Sequence, residues 1–371
     1  MKLRKLAIAM TAVMALGAIA VPAAAEEEAQ VIGISMPTQS LERWNRDGEY
    51  LKEQFENAGY TVELKYSDND SSQQVSDIQN LLADNVDILI IAAVDGEALN
   101  TVMDEAAESE IPVIAYDRLI MNDATSYYVS FDNYTVGQLQ GEFIVETLDL
   151  DNAGDATYNM EITAGDPADN NATYFYNGAM DVLQPYIDAG TLVVVSGQTD
   201  FDSVATDQWD TQTALERAQN ILGSYYADGT QLDVWLCSND STALGVAQGI
   251  TSDYAGDNTV IITGQDGDVA NLANIVDGIQ TMTVYKNVSN ESIVTLALAE
   301  AILNGETIDE SLCDTFEIDC AYDTESYETT EGNVCPSFLL VPSVITADNL
   351  DELVDTGLYE MGEDGYLTAV E

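Results

Sequence analysis

Several of the few positively charged residues in this chain stand next to acidic or aromatic residues, in short polar segments. Arg43 precedes Trp44, Arg118 follows Asp117, and Lys286 ends a β-branched run. Cationic side chains donate hydrogen bonds and carboxylates accept them, so together they can hold a molecule that carries many hydroxyl groups. An indole ring offers a flat apolar surface to the C–H face of such a molecule. These residues therefore predict a binding site for a polar, hydroxyl-rich ligand.

Other carboxylate and amide side chains occupy comparable positions, after short apolar runs. They are Asp169, Asn171, Asn239 and Asp266. In parallel sheets covered by helices, ligands bind beyond the carboxyl ends of the strands, so residues that follow strands are the candidates for a site. Trp209, like Trp44, stands near these segments. The two indole rings could sandwich a sugar ring, or they could be core aromatics.

The composition argues against most catalytic mechanisms. The chain has no histidine, so neither a Ser-His-Asp triad nor a Cys-His pair can form. It also lacks a Walker loop and a GxGxxG segment, the usual motifs for nucleotide cofactors. Two carboxylates could still serve a glycosidase, and the acidic segment 199–210 could chelate calcium, although it lacks EF-hand spacing. We therefore predict a binding protein without catalytic residues, cofactor or metal.

Short apolar runs alternate with amphipathic stretches along most of the chain. VIGIS, TVELKY and ILIIAA are typical of buried strands, and the stretch after the first run places Leu51 and Phe55 on one helical face. The same rhythm restarts after residue 130. Continuous apolar strands separated by helices indicate parallel sheets that are covered on both faces. The pattern predicts an α/β protein of two doubly wound domains.

Residues 1–25 are typical of a cleavable secretion signal. Three basic residues precede the apolar run 6–21, which ends in a small-residue segment before three glutamates. The run is shorter than the ~20 residues of a membrane-spanning helix. Cleavage would leave a protein in the periplasm or outside the cell. The formal net charge of −56, from 10 Lys+Arg and 66 Asp+Glu, argues against nucleic acid as a partner.

The four cysteines permit disulfides in an exported protein. Cys237 lies in an apolar run and is predicted to be a buried strand thiol. Cys313, Cys320 and Cys335 cluster in an acidic stretch, where one bridge would leave one thiol over. A zinc site is the alternative, although CxxC spacing and histidine are both missing.

Several polar segments also form a recognisable series. They are GISMPTQSLERWNRDG from Gly33, VIAYDRLI from Val113, SFDNYTVGQLQ from Ser130, GDPADNNATYFYNGAM from Gly165, SNDSTALG from Ser238, GQDGD from Gly264 and QTMTVYK from Gln280. The series resembles type I periplasmic sugar-binding proteins of ABC importers, above all the multiple-monosaccharide-binding, virulence-sensing type and the D-xylose-binding type. The resemblance covers residues 31 to about 367.

The resemblance implies which residues contact the sugar. Arg43, Trp44, Asp117 and Arg118 would come from the N-terminal lobe, and Asp169, Asn171, Trp209, Asn239 and Asp266 from the C-terminal lobe. Lys286 would lie at the hinge. The lobes would comprise residues 26–130 plus 287–340 and residues 131–286 plus 341–371, with three crossings near Phe131, Lys286 and Val341. The segment 311–322 is an insertion that the resemblance does not explain.

The resemblance also implies a mechanism and partners. A monomer would capture an aldose, such as galactose, glucose, arabinose or xylose, by hinge closure. It would then deliver the sugar to the permease of an ABC transporter. Presentation of bound sugar to a chemoreceptor or sensor kinase is the alternative.

Overall fold

A computed structural model describes residues 29–330 and 332–370 as an alternation of strands and helices, so the predicted secretion signal, residues 1–25, lies outside the described residues. The strands are β1 (Val31–Met36), β2 (Thr61–Tyr66), β3 (Ile88–Ile91), β4 (Val113–Tyr116), β5 (Tyr127–Phe131), β6 (Tyr158–Thr163), β7 (Leu192–Val194), β8 (Val234–Cys237), β9 (Ile261–Ile262), β10 (Thr283–Tyr285), β11 (Cys320–Asp323), β12 (Ser337–Leu340), β13 (Ser343–Ile345), β14 (Tyr359–Met361) and β15 (Leu367–Ala369). The helices are α1 (Glu42–Asn57), α2 (Ser71–Ala83), α3 (Asn100–Glu108), α4 (Asn133–Thr147), α5 (Asn170–Ala189), α6 (Phe201–Val204), α7 (Thr211–Ile221), α8 (Asp240–Asp253), α9 (Val269–Val276), α10 (Val288–Leu303) and α11 (Asp351–Asp355).

The first lobe is built on a seven-stranded sheet in the order β11-β12-β5-β4-β3-β1-β2. All neighbours are parallel except β11, which runs antiparallel to β12 at the edge. Phe55 of α1 and Leu298 of α10 pack on one face, and Leu81 of α2 and Met103 of α3 pack on the other. Because both faces are covered, β3 and β4 are buried along their whole length and consist of apolar residues.

The second lobe is built on the parallel sheet β7-β6-β8-β9. Helices α4 and α5 pack tightly, because a Cβ at Gly137 or Gly178 would overlap the backbone of the facing helix. The antiparallel pairs β10-β13 and β14-β15 join this lobe through an apolar cluster that includes Tyr285 and Tyr359.

The chain crosses between the two sheets at three places. It leaves the first sheet after Phe131 at the end of β5, returns after Tyr285 at the end of β10, and crosses again between Leu340 and Ser343. The predicted α/β fold with two parallel-sheet lobes is confirmed. The strand memberships support the predicted domain boundaries, which we propose as the division of the chain.

The structure changes some predicted element limits near the candidate site. The apolar periodicity predicts a helix over 172–187, whereas α5 begins at Asn170, because the Asp169 side chain accepts a hydrogen bond from the Asn171 backbone N–H at 3.0 Å and caps the helix. The apolar pattern predicts a strand over 260–263, whereas β9 has only the two residues Ile261–Ile262. Within the described residues, the helices are too short or too polar to cross a membrane.

Candidate ligand-binding site

One cavity between the lobes brings together every residue predicted for the site. Its empty space is about 380 Å³, including the part that is open to solvent. It is lined by Leu41, Arg43, Trp44, Asp117, Arg118, Asp169, Asn171, Phe175, Trp209, Asn239, Ser241, Gln265, Asp266 and Lys286. Four of these residues follow β4, β8 or β10 within two positions, because the carboxyl ends of the strands open towards the cavity; they are Asp117, Arg118, Asn239 and Lys286.

Asp117 forms ion pairs with two cations in this cavity. Its Oδ1 lies 2.5 Å from Arg43 Nη2 and 3.0 Å from Lys286 Nζ. Asp266 Oδ1 lies 3.1 Å from Arg43 Nη1 and 3.4 Å from Lys286 Nζ. All four side chains are at least nine-tenths buried. The result is a ring of alternating positive and negative groups, supplied by both lobes.

The backbone at Asp117 is held in an unusual conformation. Its φ is 57°, in the left-handed region that few non-glycine residues adopt. Its carbonyl oxygen accepts hydrogen bonds from Tyr128 Oη at 2.6 Å, Ser130 Oγ at 3.1 Å and Asn171 Nδ2 at 2.5 Å. These bonds offset the conformational cost and tie Asp117 of the first lobe to Asn171 of the second.

Asp169 organises the opposite wall of the cavity. Its Oδ2 pairs with Arg118 Nε at 3.1 Å and accepts a hydrogen bond from Trp209 Nε1 at 3.2 Å. Arg118 Nη1 also donates to the Ala93 carbonyl at 3.1 Å. The carboxylate therefore orients both an indole ring and a guanidinium.

Aromatic rings complete the walls. The guanidinium carbons of Arg43 and Arg118 each lie 4.9 Å from the centroid of the Trp44 ring, within cation–π distance. Phe175 meets Trp209 edge to face at 6.2 Å. These contacts hold the two indoles at the cavity, where their rings can cover apolar C–H surface.

The electrostatic environment keeps Asp117 ionised. Burial alone would raise its pKa, but Arg43 and Lys286 outweigh burial and lower the pKa to about 2. Burial raises the pKa of Asp169, against the opposing effect of Arg118. Asp117 is thus a permanent hydrogen-bond acceptor across the physiological pH range.

Two further carboxyl groups contact Arg43 from outside the cavity. Arg43 Nε donates to Asp47 Oδ2 at 3.0 Å, and Glu291 Oε2 lies 3.5 Å from Nη2. Both carboxyl groups are completely buried, and burial raises the pKa of each. The sequence prediction missed both residues. The i,i+4 spacing from Arg43 could have indicated Asp47, whereas Glu291 is 248 positions away and gives no local signal.

The lobes also touch outside the cavity. Arg46 on α1 donates from Nη1 to Tyr359 Oη at 2.9 Å and from Nη2 to the Asp266 carbonyl at 3.1 Å. The Val269 backbone N–H, at the start of α9, donates to Glu42 Oε1 at 3.1 Å. Helix α1 of the first lobe thereby contacts the second lobe at the rim of the cavity as well.

The arrangement is suited to binding. Donors from Arg and Lys, acceptors from Asp, and the bifunctional amides of Asn171, Asn239 and Gln265 converge on one space. Such a set can satisfy hydroxyl groups, which donate and accept at once. Among the described residues, no group of three or more metal-ligating side chains is arranged to hold an ion.

A two-lobed α/β fold with a polar cavity between the lobes defines a class of ligand-binding protein. Residues 32–307 match the periplasmic binding protein domain, and the chain belongs to that family. It is similar to the multiple sugar-binding periplasmic receptor of Rhizobium radiobacter, with 38% identity over 359 residues, 95% of this chain and 98% of that protein. It is also similar to the D-xylose-binding periplasmic protein of Escherichia coli, with 32% identity over 333 residues, 90% of this chain and 92% of that protein. The predicted family resemblance is confirmed.

Solved structures show the same similarity. An ABC transporter solute-binding protein from Clostridium phytofermentans, with bound β-D-glucose, has a TM-score of 0.84 and 46% identity, over 91% of this chain and 99% of that chain. A carbohydrate transporter solute-binding protein from Chloroflexus aurantiacus, in complex with D-glucose, has a TM-score of 0.78 and 29% identity, over 89% and 97%.

Proposed function

We propose that this protein captures a monosaccharide between its lobes and delivers it to the permease of an ABC transporter. The observation that carries the proposal is the ring of Arg43, Asp117, Lys286 and Asp266 beside two indoles in one inter-lobe cavity. The glucose-bound relative at 46% identity supports an aldohexose as the ligand. The proposal includes removal of residues 1–25 and action in the periplasm or outside the cell.

Binding would exchange interactions within the protein for interactions with the sugar. Charged groups that now pair with one another can each form a hydrogen bond with a hydroxyl group, and such bonds contribute roughly 1.5–3 kcal/mol each. The indoles of Trp44 and Trp209 would cover the two faces of the sugar ring. A ligand that touches both lobes has more contacts in the closed form than in the open form, so it shifts the equilibrium towards closure.

Calorimetry with a panel of sugars tests the proposed ligand class. Glucose, galactose, xylose, arabinose, fucose and ribose should be titrated into the protein at constant pH and ionic strength. We expect at least one aldose to bind with a Kd in the micromolar range or below. If none of the six produces heat beyond dilution, the ligand class is wrong.

Variants at the ion-pair ring test the site itself. Asp117→Ala leaves Asp266 as the one carboxylate that Arg43 and Lys286 still share in the ring, so we expect at least a ~100-fold loss of sugar affinity. Lys286→Ala should have a comparable effect. Asp314→Ala, at an exposed acidic position, is the matched control and should bind like the parent. Unchanged affinity in both ring variants would refute the site.

The second part of the proposal concerns the membrane protein that receives the sugar-bound form. Transport requires a permease that engages the closed form, whereas sensing would require a chemoreceptor or sensor kinase. Genes for a permease and an ATPase beside this gene would favour transport, and a sensor-kinase gene there would favour sensing. Sugar uptake in a deletion strain, with and without the restored gene, measures the transport function directly.

A further inference from the structure

Two of the four cysteines lie close together at the edge of the first lobe. The Sγ atoms of Cys313 and Cys320 are 3.3 Å apart. Cys313 belongs to a short 3₁₀ turn, Glu310–Thr315, and Cys320 is the first residue of β11, the edge strand. The sequence left the pairing among three cysteines open, and the structure places these two within contact distance.

The third cysteine of this region lies on the other side of the sheet. Cys313 and Cys320 pack against the apolar cluster that contains Phe55 and Leu298, whereas Cys335 belongs to the cluster on the opposite face. Cys335 is 2% exposed, and its Sγ lies near backbone carbonyl oxygens, 3.9 Å from that of Thr125. The sheet therefore separates Cys335 from the other two.

The remaining cysteine is also out of reach. Cys237 ends β8 in the central part of the second sheet and is fully buried. Its sulfur belongs to the apolar cluster of the second lobe. Neither Cys237 nor Cys335 can compete for a bridge without unfolding of a lobe.

Noncovalent contacts hold the segment between the paired cysteines only weakly. Its apolar residues Phe316 and Ile318 are only partly buried against the core. Asp314, Glu317 and Asp319 are exposed in the same short segment, and like charges at this spacing repel one another. The segment also supports an edge strand, which has a pairing partner on one side alone.

We propose that Cys313 and Cys320 form a disulfide that fastens the 3₁₀ turn to β11. The oxidant would be a small-molecule disulfide or a thiol-disulfide oxidoreductase. One Cys thiolate attacks the oxidant disulfide and releases one thiol; the second thiolate then attacks the mixed disulfide and releases the other. Two protons and two electrons leave the protein, and the oxidant is reduced to two thiols.

Burial affects the rate of this reaction. It raises the pKa of both the Cys313 and the Cys320 thiol, and only the thiolate attacks a disulfide. We therefore expect slow oxidation at neutral pH and faster oxidation at about pH 8.5–9. Oxidised glutathione is the probe to use on the purified full-length mature protein.

Peptide mapping without reduction identifies the bridge. The last basic residue is Lys286, so trypsin leaves Cys313, Cys320 and Cys335 in a single peptide. Glutamyl endopeptidase cuts after Glu310, Glu317, Glu325 and Glu328 and separates all three. We expect the peptides 311–317 and 318–325 to appear as one linked mass that dissociates on reduction. A link from either peptide to the peptide that contains Cys335, or to a second copy of the chain, would overturn the proposal.

Thiol counting gives an independent result. After treatment with oxidised glutathione and removal of the excess, the denatured protein should show two thiols, against four after reduction. Cys313→Ser should show three free thiols both before and after oxidation. Mass spectrometry detects any mixed disulfide with glutathione that lowers this number. Cys335→Ala is the matched control and should still lose two thiols on oxidation. Four thiols in the oxidised parent protein would show that the bridge does not form.

Discussion

Arg43 is held between carboxyl groups whose pKa values move in opposite directions. Asp117, on the cavity side, has its pKa lowered to about 2. Behind Arg43, burial raises the pKa of Asp47 and of Glu291. Four carboxyl groups, those of Asp47, Asp117, Asp266 and Glu291, face the two cations Arg43 and Lys286, and this excess of negative charge favours protonation of one of them. Glu291 is the candidate, because it lies farthest from the guanidinium and is completely buried.

This charge count gives a prediction for Glu291. If its carboxyl group is neutral at pH 7, Glu291→Gln should retain sugar affinity within about threefold, because an amide replaces a carboxylic acid of nearly the same shape. Glu291→Ala should lose at least tenfold, because the cavity left behind Arg43 frees the guanidinium to move. Calorimetric titration at pH 7 measures both. Equal affinities for the alanine variant and the parent would show that Glu291 does not position Arg43.

At the scale of elements, the loops that follow the strands determine where the aromatic walls stand. Gly165 follows β6, and a Cβ at this position would overlap the six-membered ring of Trp209. Trp209 itself has a left-handed φ of 57° and is 4% exposed. The indole can lie against the loop backbone only because residue 165 has no side chain.

Gly165→Ala should therefore displace the indole. We expect a loss of about 1–3 kcal/mol in the free energy of unfolding, as for other overpacked sites, and at least tenfold weaker sugar binding. Chemical denaturation and calorimetry measure the two effects. Gly223→Ala is the matched control, because a Cβ there meets no atom within 4 Å, and it should leave sugar binding unchanged. Normal binding by Gly165→Ala would mean that Trp209 is not part of the site.

Element order explains which parts of the site the sequence could predict. Asp117, Asn239 and Asp266 lie within four residues of the ends of apolar strands, and the geometry of parallel sheets brings such positions together. Phe175 gave no comparable signal, because it lies inside α5 and reaches the cavity only through helix packing. Glu291 contacts Arg43 through the fold of the whole first lobe, which no local pattern encodes. The ends of β9 and α5 also depended on tertiary contacts and on a side-chain cap.

At the scale of the whole molecule, buried carboxyl groups make stability depend on pH. Burial, opposed by Arg46, raises the pKa of Asp268 to about 7; burial also raises those of Asp169, Asp240 and Glu291. Between about pH 4 and pH 7 the folded state therefore binds more protons than the unfolded state, so stability falls as the pH rises. Below about pH 4 the lowered pKa of Asp117 has the opposite effect.

Thermal unfolding across the pH range checks this balance. We expect the Tm to be highest near pH 4–5, to fall towards pH 7, and to fall again below about pH 3. Asp268→Asn removes a group whose pKa burial raises to about 7, and it should flatten the slope between pH 4 and pH 7. Asp314→Asn should keep the slope of the parent. A Tm that rises steadily from pH 4 to pH 7 would contradict the prediction.

The contacts of helix α1 with the second lobe separate affinity from selectivity. In the proposed hinge closure, the bonds from Arg46 to Tyr359 and from Val269 to Glu42 would form whichever sugar lies between the lobes. They would then set the fraction of empty protein that is already closed, and that fraction scales the apparent affinity for every ligand by one common factor. On that proposal, substitutions at the rim of the lobes would adjust the affinity for all sugars together, while the ranking of sugars would depend on the residues of the cavity.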